Sequence, residues 1–238
     1  MDTIKKSALR PDGALVLSAT ERNQLSSYLS GKILNVFGPP NGGKSTLYDW
    51  LDTTLPNISI VRTSSFLMQD PACKRYIDAG KLVPDDLWKK TMKKALPTSI
   101  EHVKSGGILL LDGAIRTRFQ AEYFETYNLE IVNVVLDVPT VTVLERAITR
   151  IICPLCGRSY NRDKHFYCEA HPEERLVRRS DDKKIAERLY NYLKELPEIE
   201  GFYFAKTGRT TPHFFGTNGL AETQRRFVDL LLNIFGVS

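Results

Sequence analysis

An apolar run that ends abruptly in a glycine-rich loop constrains this chain more than any other feature. "KILNVF" (32–37) leads directly into "GPPNGGKST" (38–46). A short apolar run bounded by glycine and proline reads as a buried strand. The loop fits G-x-x-x-x-G-K-[ST] through Gly38, Gly43, Lys44 and Ser45. That spacing has a physical basis. Glycines let consecutive backbone N–H groups turn inward around phosphate oxygens, and the helix that follows offers its N-terminus to the anion. Lys44 then reaches the β- and γ-phosphates, and Ser45 ligates Mg²⁺. A solvated lysine on a glycine-rich turn is the bland alternative, and the strand-to-helix context argues against it.

Further apolar runs follow: "NISIV" (57–61), "GGILLLDG" (106–113), "EIVNVVLDVP" (130–139) and "HFFGTN" (213–218). Helical patterns lie between and after them, at 44–52, 85–96, 98–105, 117–126, 140–150, 181–196 and 220–235. Strands alternating with helices predict an α/β fold, a parallel sheet of about five strands flanked by helices. Residues 1–30 read as an extension with one short helix capped by Ser18 or Thr20. The 238 residues suit one large domain or a core with inserts. A net charge of +5 is explained by polyphosphate ligands as well as by nucleic acid. No apolar run approaches the ~18 residues of a membrane helix, and the N-terminus lacks an apolar signal region. A soluble cytoplasmic protein is expected.

"LLLDGAIR" (109–116) puts Asp112 at the carboxyl end of a strand, the edge where open parallel sheets bind ligands. An aspartate there can hold the hydration shell of Mg²⁺, whereas the bland reading is a turn residue before glycine. "CPLCGRSYNRDKHFYCEAH" (153–171) holds three of the four cysteines. Cys153, Cys156, Cys168 and His171 form C-x2-C-x11-C-x2-H, a spacing that suits tetrahedral Zn²⁺. His165 is a rival fourth ligand. Four protein ligands close the coordination shell, which makes the site structural. Cys73 stands apart, so a disulfide framework is not expected.

Taken together, these motifs resemble the adenylate kinase family over roughly residues 31 to 235. "GPPNGGKST" is similar to that family's GPPGxGKGT, "AGKLVPDDL" (79–87) to its monophosphate-binding segment, and "LDGAIRTRFQAE" (111–122) to its LDGFPRTxxQAE. "LDVPTVTVLERAITR" (136–150) leads into the cysteine pair as in members with a zinc-containing lid. "LVRRSDDKKIAERLYNY" (176–192) resembles the lid exit, and "FFGTNG" (214–219) the C-terminal turn. The resemblance implies Mg·ATP + AMP ⇌ 2 ADP with Mg²⁺ as cofactor and a structural Zn²⁺. It implies a P-loop core (31–62, 97–150, 180–238), a helical monophosphate-binding insert (63–96) and a zinc-binding lid (151–179). ATP would be held by Gly38, Asn41, Gly42, Gly43, Lys44, Ser45 and Thr46, with Arg146 over its adenine and Arg150 at its phosphates. Thr63 and Val83 would line the AMP pocket, Arg116 would hold the AMP phosphate, and Gln120 its adenine edge. Arg179 and Arg188 would clamp the transferred group from the lid side, and Asp112 would serve Mg²⁺ with Ser45. A monomer is expected, with ATP, AMP and ADP as its ligands and with no membrane or nucleic-acid partner.

The sequence departs from the family pattern in four places. TGDxLR becomes "TSSFLM" (63–68), so its arginine is Met68. A lost charge-assisted contact costs on the order of 2 kcal/mol, more than tenfold in AMP affinity, unless Arg62 or Arg75 substitutes. FPR becomes "AIR" (114–116), which lacks the proline. The gap between cysteine pairs is short, and the run from Arg179 to Arg188 is about two residues shorter than usual. Two residues rotate a helix by about 200°, which puts the approach of Arg188 in question. These departures keep two other readings open: a P-loop phosphotransferase with another acceptor, and a zinc-knuckle nucleic-acid-binding ATPase. Against the last, no basic stripe interleaved with aromatics is present.

Overall fold

The computed structural model describes residues 8–156, 158–163, 165–178, 180–217 and 219–236. The strand expected before the phosphate loop is β1 (Ile33–Phe37), buried along its whole length. It lies at the centre of a parallel sheet with β2 (Ile58–Arg62), β3 (Ile108–Asp112), β4 (Ile131–Asp137) and β7 (His213–Phe215), in the order β2-β3-β1-β4-β7. All five expected strands are present. Helices cover both faces, so strand side chains alternate between two cores rather than between core and water. Leu34, Val36, Leu110, Val134 and Leu136 pack into one core; Ile33, Phe37, Leu109, Leu111 and Val135 pack into the other.

The first core is closed by α1 (Ala19–Leu29), α2 (Lys44–Asp52) and α10 (Leu220–Ile234), which contribute Leu25, Leu29, Leu47, Leu51, Phe227 and Leu231. Ser18 caps α1, forming a reciprocal capping box with Glu21. Ala14, Leu15 and Leu17 also enter this core. Trp50 donates from Nε1 to the Leu15 carbonyl at 2.9 Å, and the Leu15 N–H donates to Gln224 Oε1 at 2.7 Å. The N-terminal segment thereby covers α2, the helix that carries the phosphate loop.

The second core lies under α3 (Thr63–Gln69), α4 (Pro71–Asp78), α5 (Asp85–Ala95), α6 (Pro97–Lys104) and α7 (Arg118–Glu125). The resemblance implied a helical insert over 63–96, but α3 and α4 were not among the helical patterns read from the residues. The second carries a signal: Asp70 accepts from the Ala72 N–H at 2.9 Å, and Pro71 occupies the first turn. After α8 (Thr140–Thr149) comes a small antiparallel hairpin, β5 (Arg150–Ile152) and β6 (Ser159–Asn161). A 3-10 turn at Ser180–Lys184 then opens α9 (Ile185–Thr207). This helix runs well past residue 196, the end expected from the sequence, and holds Pro197 inside it. Ile199 and Tyr203 beyond it bury into the second core, and that packing offsets the hydrogen bond the proline removes.

His213 ties this helix to the sheet edge, its two ring nitrogens lying 2.9 Å from Asp137 and 2.9 Å from Glu200. Burial acts to lower its pKa, but the two carboxylates outweigh that and raise it. A raised folded value stabilises the fold below the ordinary histidine range, and the contribution is lost as pH rises through that raised value. The ring is well exposed, so the effect is small. His213→Gln is expected to cost about 0.5 kcal/mol at pH 6 and close to nothing well above neutrality. Denaturant melts at the two pH values test this, and a gap that widens with pH would contradict it.

Candidate active site

The carboxyl ends of the central strands open into one cleft of about 840 Å³. Every residue of the phosphate loop named above lines it: Gly38, Asn41, Gly42, Gly43, Lys44, Ser45 and Thr46. The loop closes with Gly43 at φ +106°, a conformation that favours glycine, and Asn41 is also left-handed at φ 58°. A Cβ on Gly38 would lie 3.1 Å from the Leu136 carbonyl oxygen, so the loop hugs β4. Lys44 bends back over the loop and donates to the carbonyls of Gly38 at 2.6 Å and Pro39 at 2.8 Å. Burial pulls its pKa down to about 7; Asp112 opposes that shift, while Arg116, Arg188 and Arg150 add to it. Four charged side chains from three separate chain segments thus converge on one ammonium group.

Each of them has a structural reason to be there. Asp112 ends β3 and accepts from Ser45 Oγ at 2.7 Å. Two hard oxygen donors therefore face each other at the mouth of the loop, a donor set that suits Mg²⁺. Arg116 folds over its own turn, Nε donating to the Gly113 carbonyl at 2.9 Å. Gln120 is buried one helical turn on, where its Oε1 accepts from the Arg116 N–H at 2.7 Å. Arg146 donates to the Gly42 carbonyl at 2.8 Å and the Thr217 carbonyl at 3.3 Å, crossing the loop. Arg150 bonds the Asn41 side chain and the Ser159 hydroxyl. Arg188 reaches the cleft from α9, and Val83 lines it from the segment before α5.

One expected residue stands outside the cleft wall. Thr63 is buried at the start of α3 with no partner for its hydroxyl, and Ser64 and Leu67 line the cleft in its place. Arg179 lies outside the described residues. One contributor was missed: Asp182, fully buried, sits between Arg150 at 3.9 Å and Arg188 at 3.7 Å. A pair of acids following a pair of arginines was the only available signal.

Beside the cleft, the hairpin segment brings Cys153, Cys156, Cys168 and His171 together, with all four donor atoms within 4.8 Å of one another. Cys156 and Cys168 sulfurs are 3.7 Å apart, and His171 Nδ1 is 3.6 Å from Cys153 and 3.5 Å from Cys168. Tetrahedral bonds of ~2.3 Å to sulfur imply edges near 3.8 Å, so the spacing and the soft donors both fit zinc. His165 is outside this group, its ring packed beside Tyr160 at 5.2 Å.

No family model matches the chain. The chain is 30% identical to an adenylate kinase of Chlamydia trachomatis serovar D, over 83% of this chain and 88% of that protein. It is 31% identical to an adenylate kinase of Orientia tsutsugamushi strain Boryong, over 75% of this chain and 89% of that one. The chain belongs to the adenylate kinase family. It is accordingly a nucleotide-binding phosphotransferase of the nucleoside-monophosphate kinase type. Among the described residues, no helix is long and apolar enough to cross a membrane.

This adenylate kinase family member absorbs its sequence departures in specific ways. Ile115, where the family has proline, is buried in the second core and anchors the turn by packing. A 3-10 segment precedes α9, and Arg188 lines the cleft from that helix in spite of the shortened run before it. Met68 is 36% exposed and does not line the cleft, and neither do Arg62 or Arg75. Arg75 lies against Tyr76, and Arg62 is engaged with Asp49 and Asp112. Lys81 lines that wall in addition to Arg116.

Proposed function

We propose that the chain transfers the γ-phosphoryl group of Mg·ATP to AMP, reversibly, giving two ADP. One observation carries this reading: a single cleft joins the phosphate loop to a wall built from Val83, Arg116 and Gln120. Two nucleotides can therefore meet end to end over Lys44. Phosphoryl transfer asks little covalent work of a protein; it needs alignment, exclusion of water and positive charge around the moving group. An oxygen of the AMP phosphate forms the new bond to the γ-phosphorus, and the bond to the β-phosphate oxygen breaks. Lys44, Arg116, Arg150 and Arg188 supply the charge. Arg179 is proposed as a further lid-side clamp.

Arg146, lying across Gly42 and Thr217, covers the ATP base. Gln120 reads the AMP base while keeping its internal bond, because an amide oxygen has a second lone pair and its NH₂ two protons. Ser45 and Asp112 would hold Mg²⁺, which when bound neutralises charge on the β- and γ-oxygens. The four-donor cluster would hold Zn²⁺ as a clasp for residues 151–179, the lid, and residues 63–96 form the acceptor insert. The enzyme is proposed to work as a cytoplasmic monomer.

A coupled assay of ADP formation with ATP, Mg²⁺ and each of AMP, CMP, UMP and GMP tests this. AMP is expected to be the best acceptor, with a high KM because, among the described residues, Arg116 has no second arginine beside it on that wall. Absence of ADP with all four would overturn the reading. Turnover saturating far better with another monophosphate would favour a different acceptor.

A further inference from the structure

Arg62 occupies a position that the reaction as described does not use. It ends β2 in direct register with Asp112, which ends the neighbouring β3. Its guanidinium contacts two carboxylates at once, Asp49 on α2 at 2.5 Å and Asp112 at 3.4 Å. The contact to Asp112 falls on Oδ2, the oxygen that also accepts from Ser45 Oγ at 2.7 Å. The Asp112 side chain is only 15% exposed, and Arg62 is 34% exposed. A fixed cation thus sits against the acid expected to serve the nucleotide's metal ion, in a setting where water screens it only in part.

We infer that Arg62 is a positioning residue that sets the Mg²⁺ concentration at which ATP is held in its metal-bound form. The inference rests on the proposed ATP site. Arg62 neutralises Asp112 in the protein alone and competes with a divalent cation for Oδ2. Like charges repel, so Mg²⁺ coming into the reach of Asp112 raises the energy of Arg62 where it stands. Asp49 is the alternative resting place. It holds the other terminal nitrogen of the guanidinium and draws the group away from Asp112. The two carboxylates therefore act in opposite senses on one arginine. This also accounts for Arg62 not supplying the acceptor contact that Met68 lacks, because its fork is already committed to the metal side of the cleft.

The opposition gives the test its sign. Free Mg²⁺ is stepped at constant ATP, with no acceptor nucleotide, and ATP binding is followed by titration calorimetry. Removing the cation in Arg62→Gln is expected to lower the midpoint Mg²⁺ concentration by about three- to fivefold, the range of a partly exposed charge pair. Asp49→Asn releases Arg62 onto Asp112 and is expected to raise the midpoint by about twofold. Arg62→Lys keeps the charge and should stay near wild type, which leaves a usable arm if the glutamine variant folds poorly. Midpoints equal to wild type in both Arg62→Gln and Asp49→Asn, or shifts in the same direction, would overturn the inference. A wild-type protein that binds no ATP at any Mg²⁺ concentration would instead overturn the proposed function.

Discussion

Replacing Lys44 by methionine is expected to lower turnover by about 10²- to 10³-fold while leaving the fold intact. The size follows from losing one preorganised charge aimed at the transferring group in a site shielded from water. Stability should hold because methionine fills the same volume, and because burial already disfavours the ammonium form of Lys44, pulling it to about 7. The same pKa gives a second readout. Near pH 7.5 an appreciable fraction of Lys44 is neutral, and an arriving polyphosphate favours the charged form. ATP binding should therefore take up part of a proton at that pH, and this uptake should vanish in Lys44→Met. Calorimetry in buffers of different ionisation enthalpy measures it. Turnover within a few-fold of wild type would remove Lys44 from the centre of the mechanism.

The second large effect concerns the Cys153–Cys156–Cys168–His171 cluster. The segment around it has a very small core of its own: Cys153, Tyr160, Cys168 and Leu176, with Ile151 packed alongside. Two of the four buried members are themselves candidate ligands. A unit of this size rarely holds together on apolar contact alone and needs a staple. Zinc bound by such donors contributes folding free energy directly, on the order of 10 kcal/mol in isolated zinc modules. Cys168→Ser, or chelation of the wild type, is expected to make this segment melt first, well below the core, as an early step in a hydrogen-exchange or calorimetric profile. Turnover at low temperature should fall much less, because a closed shell leaves zinc no position for substrate. Chelation that abolished turnover in a fully folded protein would refute the structural role.

The phosphate loop, the five strands and most of the flanking helices were legible in the sequence because each depends on local pattern. Apolar runs, glycine positions and cap residues carry their own short-range physics. The donor set Cys153, Cys156, Cys168 and His171 was also readable from spacing, although His165 could be set aside only once its ring was seen against Tyr160. The helices α3 and α4 escaped because "TSSFLMQ" has weak helical periodicity and because one Asp-Pro cap is a faint signal next to the apolar runs. Thr63 was placed at the pocket by analogy with a motif that this chain has largely lost. Its side chain instead turns into the protein, and its neighbour Ser64 takes the cleft wall.

What the sequence determined by itself was the inventory: a strand-loop-helix that binds phosphate, an acid at a strand end, arginines in family order and four soft donors in close pairs. What only the tertiary structure decided was which charges meet. Arg62 and Asp112 are 50 residues apart in the chain and touch because β2 and β3 are parallel and in register. Asp182 lies 141 residues from Asn41, yet their side chains meet beside Arg150 and Arg188. Such pairings follow from strand order and helix phase, which are set by the packing of two cores on one sheet. No local pattern encodes them, since the energy that fixes a long-range contact is spread over the whole buried surface rather than held in the residues that make it.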